Sequence, residues 1–124
     1  MALAVRPVSR EGVTMRATGD TVFVSGNIDD PTPGEYMGPF LKEVHESIIS
    51  SGIKAVRVDI KELNFLNSSG IKELVEWVLK LSRLTDAQKY SITFVCSSKM
   101  LWQEASISTI LFLNPALLKK EVQS

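Results

Sequence analysis

Two adjacent hydroxyls, Ser68 and Ser69, are the residues of this chain whose position best suits chemistry. They follow a β-type run at 55–60 and open a stretch whose apolar residues recur at helical spacing to about residue 84. At a helix start the first N–H groups lack intrahelical partners, and the macrodipole places partial positive charge there. A phosphate on either serine would meet donors already pointing at it, as a reversible switch requires. The same place suits a plain N-cap, for which serine is worth about 1 kcal/mol over alanine. Glu73 lies four residues beyond Ser69 and five beyond Ser68, so the three-residue capping-box spacing is absent. Spacing alone leaves cap and phosphoacceptor both open.

The remaining reactive side chains point elsewhere. His45 is the sole histidine and Cys96 the sole cysteine, so no usual zinc set can assemble. A Ser–His nucleophile pair would need Ser69 and His45, which belong to different elements with nothing in the sequence joining them. No Gly-rich phosphate loop of Walker or Rossmann type occurs. Neither catalysis nor a bound cofactor is expected. Asp29 ends a strand and either contacts a partner or begins the turn before Pro31. Asp59 stands at a strand end leading toward the serines. Trp77 and Leu84 lie about 100–120° from the centre of the helical apolar stripe, as core flank or partner contact. Trp102 carries the same ambiguity.

Fourteen basic and fourteen acidic residues cancel, which gives no electrostatic reason to expect nucleic acid. At 124 residues with 44% hydrophobic and 23% charged side chains, the chain reads as one globular domain, 1–124, with its core at about 13–113. A lone cysteine in a β-type run fits a buried thiol and a reducing, cytoplasmic setting. No signal-peptide pattern is seen at the N-terminus, and no apolar stretch nears the ~18–20 residues of a membrane span. Membrane insertion is not expected.

The elements that must position the serines follow from periodicity. Residues 13–17 and 21–25 read as strands joined at Thr18-Gly19-Asp20, and Asp30-Pro31-Thr32-Pro33-Gly34 reads as a loop. A helix is predicted over about 36–51, its entry kinked or delayed by Gly38-Pro39 and its end set by a left-handed Gly52. A strand over 55–60 leads to the serine helix, whose stripe is Ile71, Leu74, Val75, Val78 and Ser82, bordered by Leu81. A strand at 90–97, a helix at 99–105, an edge strand at 109–113 and a short helix at 115–122 capped by Asn114 complete the chain. The order implies an α/β fold: one mixed sheet with its helices as crossover connections.

Two motifs in this setting resemble the STAS domain family, that of anti-sigma-factor antagonists and sulphate-transporter tails. Val24-Ser25-Gly26-Asn27-Ile28-Asp29 is similar to the family's strand ending in Gly-Glu-Leu-Asp. Phe65-Leu66-Asn67-Ser68-Ser69-Gly70-Ile71 is similar to its Asp-Ser-Ser-Gly-Leu phosphorylation loop. The resemblance spans about residues 13–112 and implies a STAS-like mixed sheet. It also implies a bacterial signal-transduction protein that regulates transcription by partner switching. Ser69, with Ser68 as the alternative, would be phosphorylated by an anti-sigma serine kinase with an ATP-binding domain, and a phosphatase would reverse the mark. The implied contact surface is Asp29, Asn67, Ser68, Ser69, Gly70 and Ile71. A rival implication is an accessory subunit docking on the ATPase of an ABC phospholipid transporter. One departure stands out: Asn67 replaces the family's aspartate, keeping turn and cap geometry while removing a charge beside the phosphoacceptor.

Overall fold

The computed structural model describes residues 2–124. Seven strands and three helices follow in the order β1 (Val8–Arg10), β2 (Val13–Thr18), β3 (Thr21–Ile28), α1 (Gly34–Ser51), β4 (Ala55–Asp59), β5 (Leu63–Leu66), α2 (Ser68–Ser82), β6 (Ser91–Ser97), α3 (Leu101–Leu111) and β7 (Leu118–Gln123). They form one mixed sheet of order β1-β2-β3-β4-β6-β7, in which β5 pairs with β3 beyond the end of β4. β1, β2 and β3 are antiparallel neighbours, whereas β3, β4, β6 and β7 run parallel. Parallel neighbours need crossovers, and α1, α2 and α3 supply them.

Alternation decides which face the helices cover. Met15, Val22, Val24, Val56, Val58, Ile92, Phe94 and Cys96 point to one side, where they form a single apolar cluster with Phe40, Val44 and Ile48 of α1, Leu74, Trp77 and Val78 of α2, and Ile107 and Ile110 of α3. Of the intervening residues, Thr14, Arg16, Phe23, Arg57 and Glu121 stay partly or fully exposed, while Val95 is buried. On that open face Arg16 stacks over Phe23 at 4.1 Å, and Arg57 pairs with Glu121 at 2.8 Å. Cys96 is buried, and burial pushes its thiol up to about 11, as an inert core thiol requires.

Six of the expected elements stand close to their predicted places. Gly52 ends α1 at φ +71°, its N–H bonding back to Ile49. Gly38-Pro39 does not delay α1: the helix begins at Gly34, and Pro39 is carried within its second turn. The C-terminal quarter departs from expectation. The helix expected at 99–105 runs on to Leu111, so the edge strand expected at 109–113 is absent, because Ile107 and Ile110 bury against the sheet at helical spacing. The final helix expected at 115–122 is instead strand β7, paired with β6 from Ile92↔Leu118 to Ser97↔Gln123. Asn114 caps no helix there; its Oδ1 accepts from Leu117 N–H in the turn, and its Nδ2 donates to Ser82 Oγ at 3.0 Å. β1 and β5 were not expected from periodicity, being only three and four residues long.

Candidate functional site at the start of α2

The segment Leu66-Asn67-Ser68-Ser69-Gly70-Ile71 turns the chain from β5 into α2. Asn67, not a serine, is the N-cap: its backbone is extended and its Oδ1 accepts from Gly70 N–H at 2.8 Å. The cap role weighed for Ser68 or Ser69 is therefore taken. They are instead the first two helical residues, Ser68 exposed and Ser69 half-buried. Ile71 N–H reaches Asn67 O at 3.0 Å, so cap and helix account for the donors from Gly70 onward. The N–H groups of Ser68 and Ser69 remain at the open end of the helix. The first turn holds no acidic residue that would compete for them.

The other half of the Asn67 amide explains its presence. Nδ2 donates to Asp30 O at 2.7 Å, and Asn67 N–H bonds Ile28 O at 2.9 Å. One side chain thus ties the cap of α2 to the loop leading into α1. Asp30 extends the tie, because Tyr36 O–H donates to its Oδ1 at 2.8 Å while the Arg10 guanidinium lies over the Tyr36 ring. Burial, then the Asp30 carboxylate, raise the Tyr36 phenol above its ordinary range, so the hydroxyl keeps its proton. Gly70 is required by space. A Cβ there would overlap Leu66 Cδ1 and press on Ile28 Cγ2 at 3.2 Å.

Asn67, Ser68, Ser69, Gly70 and Ile71 form one continuous patch, and Asp29 is exposed in the loop that Asn67 grips. Asp59 is not part of this patch. Its carboxylate lies on the helix-free face, accepting from Lys61 N–H and facing Lys61 Nζ at 3.7 Å. Ser68 shares a helical face with Ile71 and Val75. Those two apolar residues line an open groove of about 280 Å³ between α2 and α3, with Ile110 and Leu113 opposite. Ser69 lies about 100° round the helix, on the side of Glu73 and Glu76, which line the small cleft against α1.

His45 does not meet either serine. Its Nδ1 lies 2.6 Å from Tyr90 Oη, and that oxygen accepts from Trp77 Nε1–H at 2.7 Å. Trp77, weighed as a flank residue, is fully buried, and the buried face of α2 is Gly70, Leu74, Trp77, Val78 and Leu81. Ile71 and Val75 are its half-buried border rather than its centre. Sequence periodicity missed Gln103, a buried side chain on α3. Its Nε2 donates to Ile60 O and Leu63 O, and its Oε1 accepts from Ser97 N–H. It thus joins three backbone groups, where β4 turns into β5 and where β6 ends. Among the described residues, no group of three or more His, Cys, Asp or Glu side chains could hold a metal ion, and no helix is long and apolar enough to cross a membrane.

No protein-family model matches the chain, and no curated protein sequence matches it. Solved structures do share its fold. One is a chain of the crystal structure of the diguanylate cyclase SiaD in complex with its activator SiaC from Pseudomonas aeruginosa; the TM-score is 0.69 at 13% identity, covering 95% of this chain and 99% of that one. Another is SiaC of Pseudomonas aeruginosa, with a TM-score of 0.63 at 15% identity over 99% of this chain and 98% of that one. The mixed sheet with its helical crossovers is therefore a STAS-like fold shared with SiaC.

Proposed function

We propose that this chain is a small regulatory protein, without catalytic activity of its own, that acts by binding a partner protein. Its contact surface is the start of α2, with Ser69 as the phosphate-accepting switch and Ser68 as the neighbouring alternative. The observation that carries this reading is the division of labour at the cap. Asn67 takes the structural role, which leaves two serines at the positive end of a helix without a capping task. Asp29, Asn67, Ser68, Ser69, Gly70 and Ile71 supply the surface, and the Ile71–Val75 groove adds apolar area for a partner to cover. Phosphorylation would add about −1.5 to −2 charge to that surface, enough to break an interface by repulsion and desolvation.

The writer of such a mark is a serine kinase with an ATP-binding domain, and a phosphatase removes it. The fold shared with SiaC, the activator of a diguanylate cyclase, supports an enzyme of that kind as the controlled target ahead of a sigma factor. Affinity purification of the tagged protein from its own cells, with mass spectrometry of partners and phosphopeptides, tests both parts. A cyclase or kinase recovered with phosphate on Ser69 or Ser68 supports the reading. For the recovered partner, Ser69→Asp is expected to weaken binding tenfold or more while Ser69→Ala preserves it. Equal affinity of wild type and both variants would sink the switch. Recovery of an ABC ATPase with no phosphopeptide would replace this reading with a docking subunit.

A further inference from the structure

We propose that His45, Tyr90 and Trp77 form a proton-operated clasp: a neutral imidazole locks α1 to α2 through the Tyr90 hydroxyl, and its protonation releases the lock. His45 lies on α1, Trp77 on α2 and Tyr90 immediately before β6, and Tyr90 and Trp77 are both buried. Donor chemistry fixes the direction of the Trp77 bond, and the need of the buried Tyr90 O–H for an acceptor sets that of the other. An indole N–H can only donate, so Trp77 gives its proton to Tyr90 Oη at 2.7 Å. Tyr90 has one proton left to give, and His45 Nδ1 stands 2.6 Å away to receive it. Nδ1 must then be bare, with the ring proton on Nε2.

Protonation puts a hydrogen on Nδ1. Both partners of Tyr90 Oη are then donors, and the buried Tyr90 O–H is left without an acceptor. The two helices are also the walls of the cleft beside this relay, lined by Leu41 and Lys42 of α1 and by Glu76, Trp77 and Lys80 of α2. Charges around the ring lean the same way. Burial disfavours the imidazolium most, Lys80 of α2 adds to that, and Glu46 on α1 opposes it, leaving the titration of His45 below its ordinary range. The β6 side contributes only the Tyr90 phenol, which burial raises above its usual range and keeps uncharged.

A group whose folded-state titration is lowered contributes stability that is present above the unfolded histidine value of ~6.5 and lost as pH falls toward the folded one. The loss is tenfold in the folding equilibrium constant for each pH unit between the two midpoints. His45 is the only histidine, so between about pH 5.5 and 7.5 no other side chain of ordinary titration interferes.

The test is an NMR titration of the intact protein, following the His45 ring and the Trp77 indole N–H, with urea unfolding at the same pH values. His45→Asn keeps an acceptor near the Nδ1 position but does not titrate. The clasp requires the Trp77 indole signal to move with the midpoint of His45, and acid-induced loss of stability in wild type but not in His45→Asn. Trp102→Phe leaves a single indole and removes any ambiguity of assignment. An indole signal that stays still while His45 titrates would overturn the proposal. So would an equal acid loss in His45→Asn.

Discussion

Asn67→Asp would place a carboxylate beside the serines, and the structure states what that costs. Oδ1 can still cap Gly70 N–H, but the atom now donating to Asp30 O at 2.7 Å would become a carboxylate oxygen facing a carbonyl oxygen. Leaving that part-buried carbonyl unpaired costs about 1–3 kcal/mol. A negative charge at the helix N-terminus returns about 0.3–1 kcal/mol. The variant should therefore be about 1–2 kcal/mol less stable near pH 7, or lower in Tm by roughly 3–10 °C for a chain of this length. Acidification should close the gap. A protonated carboxyl donates its O–H to Asp30 O, so the new group titrates higher in the folded state than unfolded. Its penalty is absent below the unfolded value of ~3.9 and develops as pH rises through the folded one. Urea unfolding of wild type and variant at pH 4 and pH 7 measures both effects. Asn67→Ala removes cap and tie together and should lose about 2 kcal/mol at either pH. An Asp variant as stable as wild type at pH 7, or a gap that widens in acid, would refute the double role assigned to this amide.

Three further outcomes are expected. Gly70→Ala drives a methyl into Leu66 and Ile28, costing about 1–3 kcal/mol as overpacking, offset by up to about 1 kcal/mol of helix propensity; thermal unfolding reads the net loss. Tyr90→Phe leaves the buried Trp77 N–H without an acceptor and should cost about 1–3 kcal/mol, whereas adding Trp77→Phe should cost less than the sum of the two single changes. Gln103→Ala strands the N–H of Ser97 and removes the side-chain donor from the carbonyls of Ile60 and Leu63, of which Ile60 keeps Leu63 N–H, so a loss of about 2 kcal/mol or more is expected, with hydrogen exchange quickened first around Ser97.

Much of the fold and of the candidate site was legible because its signals are local. β2, β3 and β4 carry apolar residues at every second place, and α1 carries them at helical spacing. The run Asn67–Ile71 can be placed from the strand before it and the helix after it. The C-terminal quarter misled for the opposite reason. Ile110-Leu111-Phe112-Leu113 is a strand-like run, yet only Ile110 of the four is fully buried, because α3 meets the sheet along one stripe. Leu118-Lys119-Lys120-Glu121-Val122-Gln123 is polar enough to suggest a helix. It becomes a strand because parallel pairing with β6 satisfies its backbone, and charged side chains suit the edge of a sheet.

By itself, then, the sequence determined the elements whose apolar period is strong, and it placed two serines at a helix start. That information resides in single side chains and their spacing. Tertiary structure alone decided which residue caps that helix, because the answer depends on an amide reaching Asp30 across 37 positions of chain. It also turned the buried face of α2 toward Trp77, since α1 packs on that side. Finally, it joined His45 to Tyr90, 45 residues apart, through a hydrogen bond that no local pattern encodes.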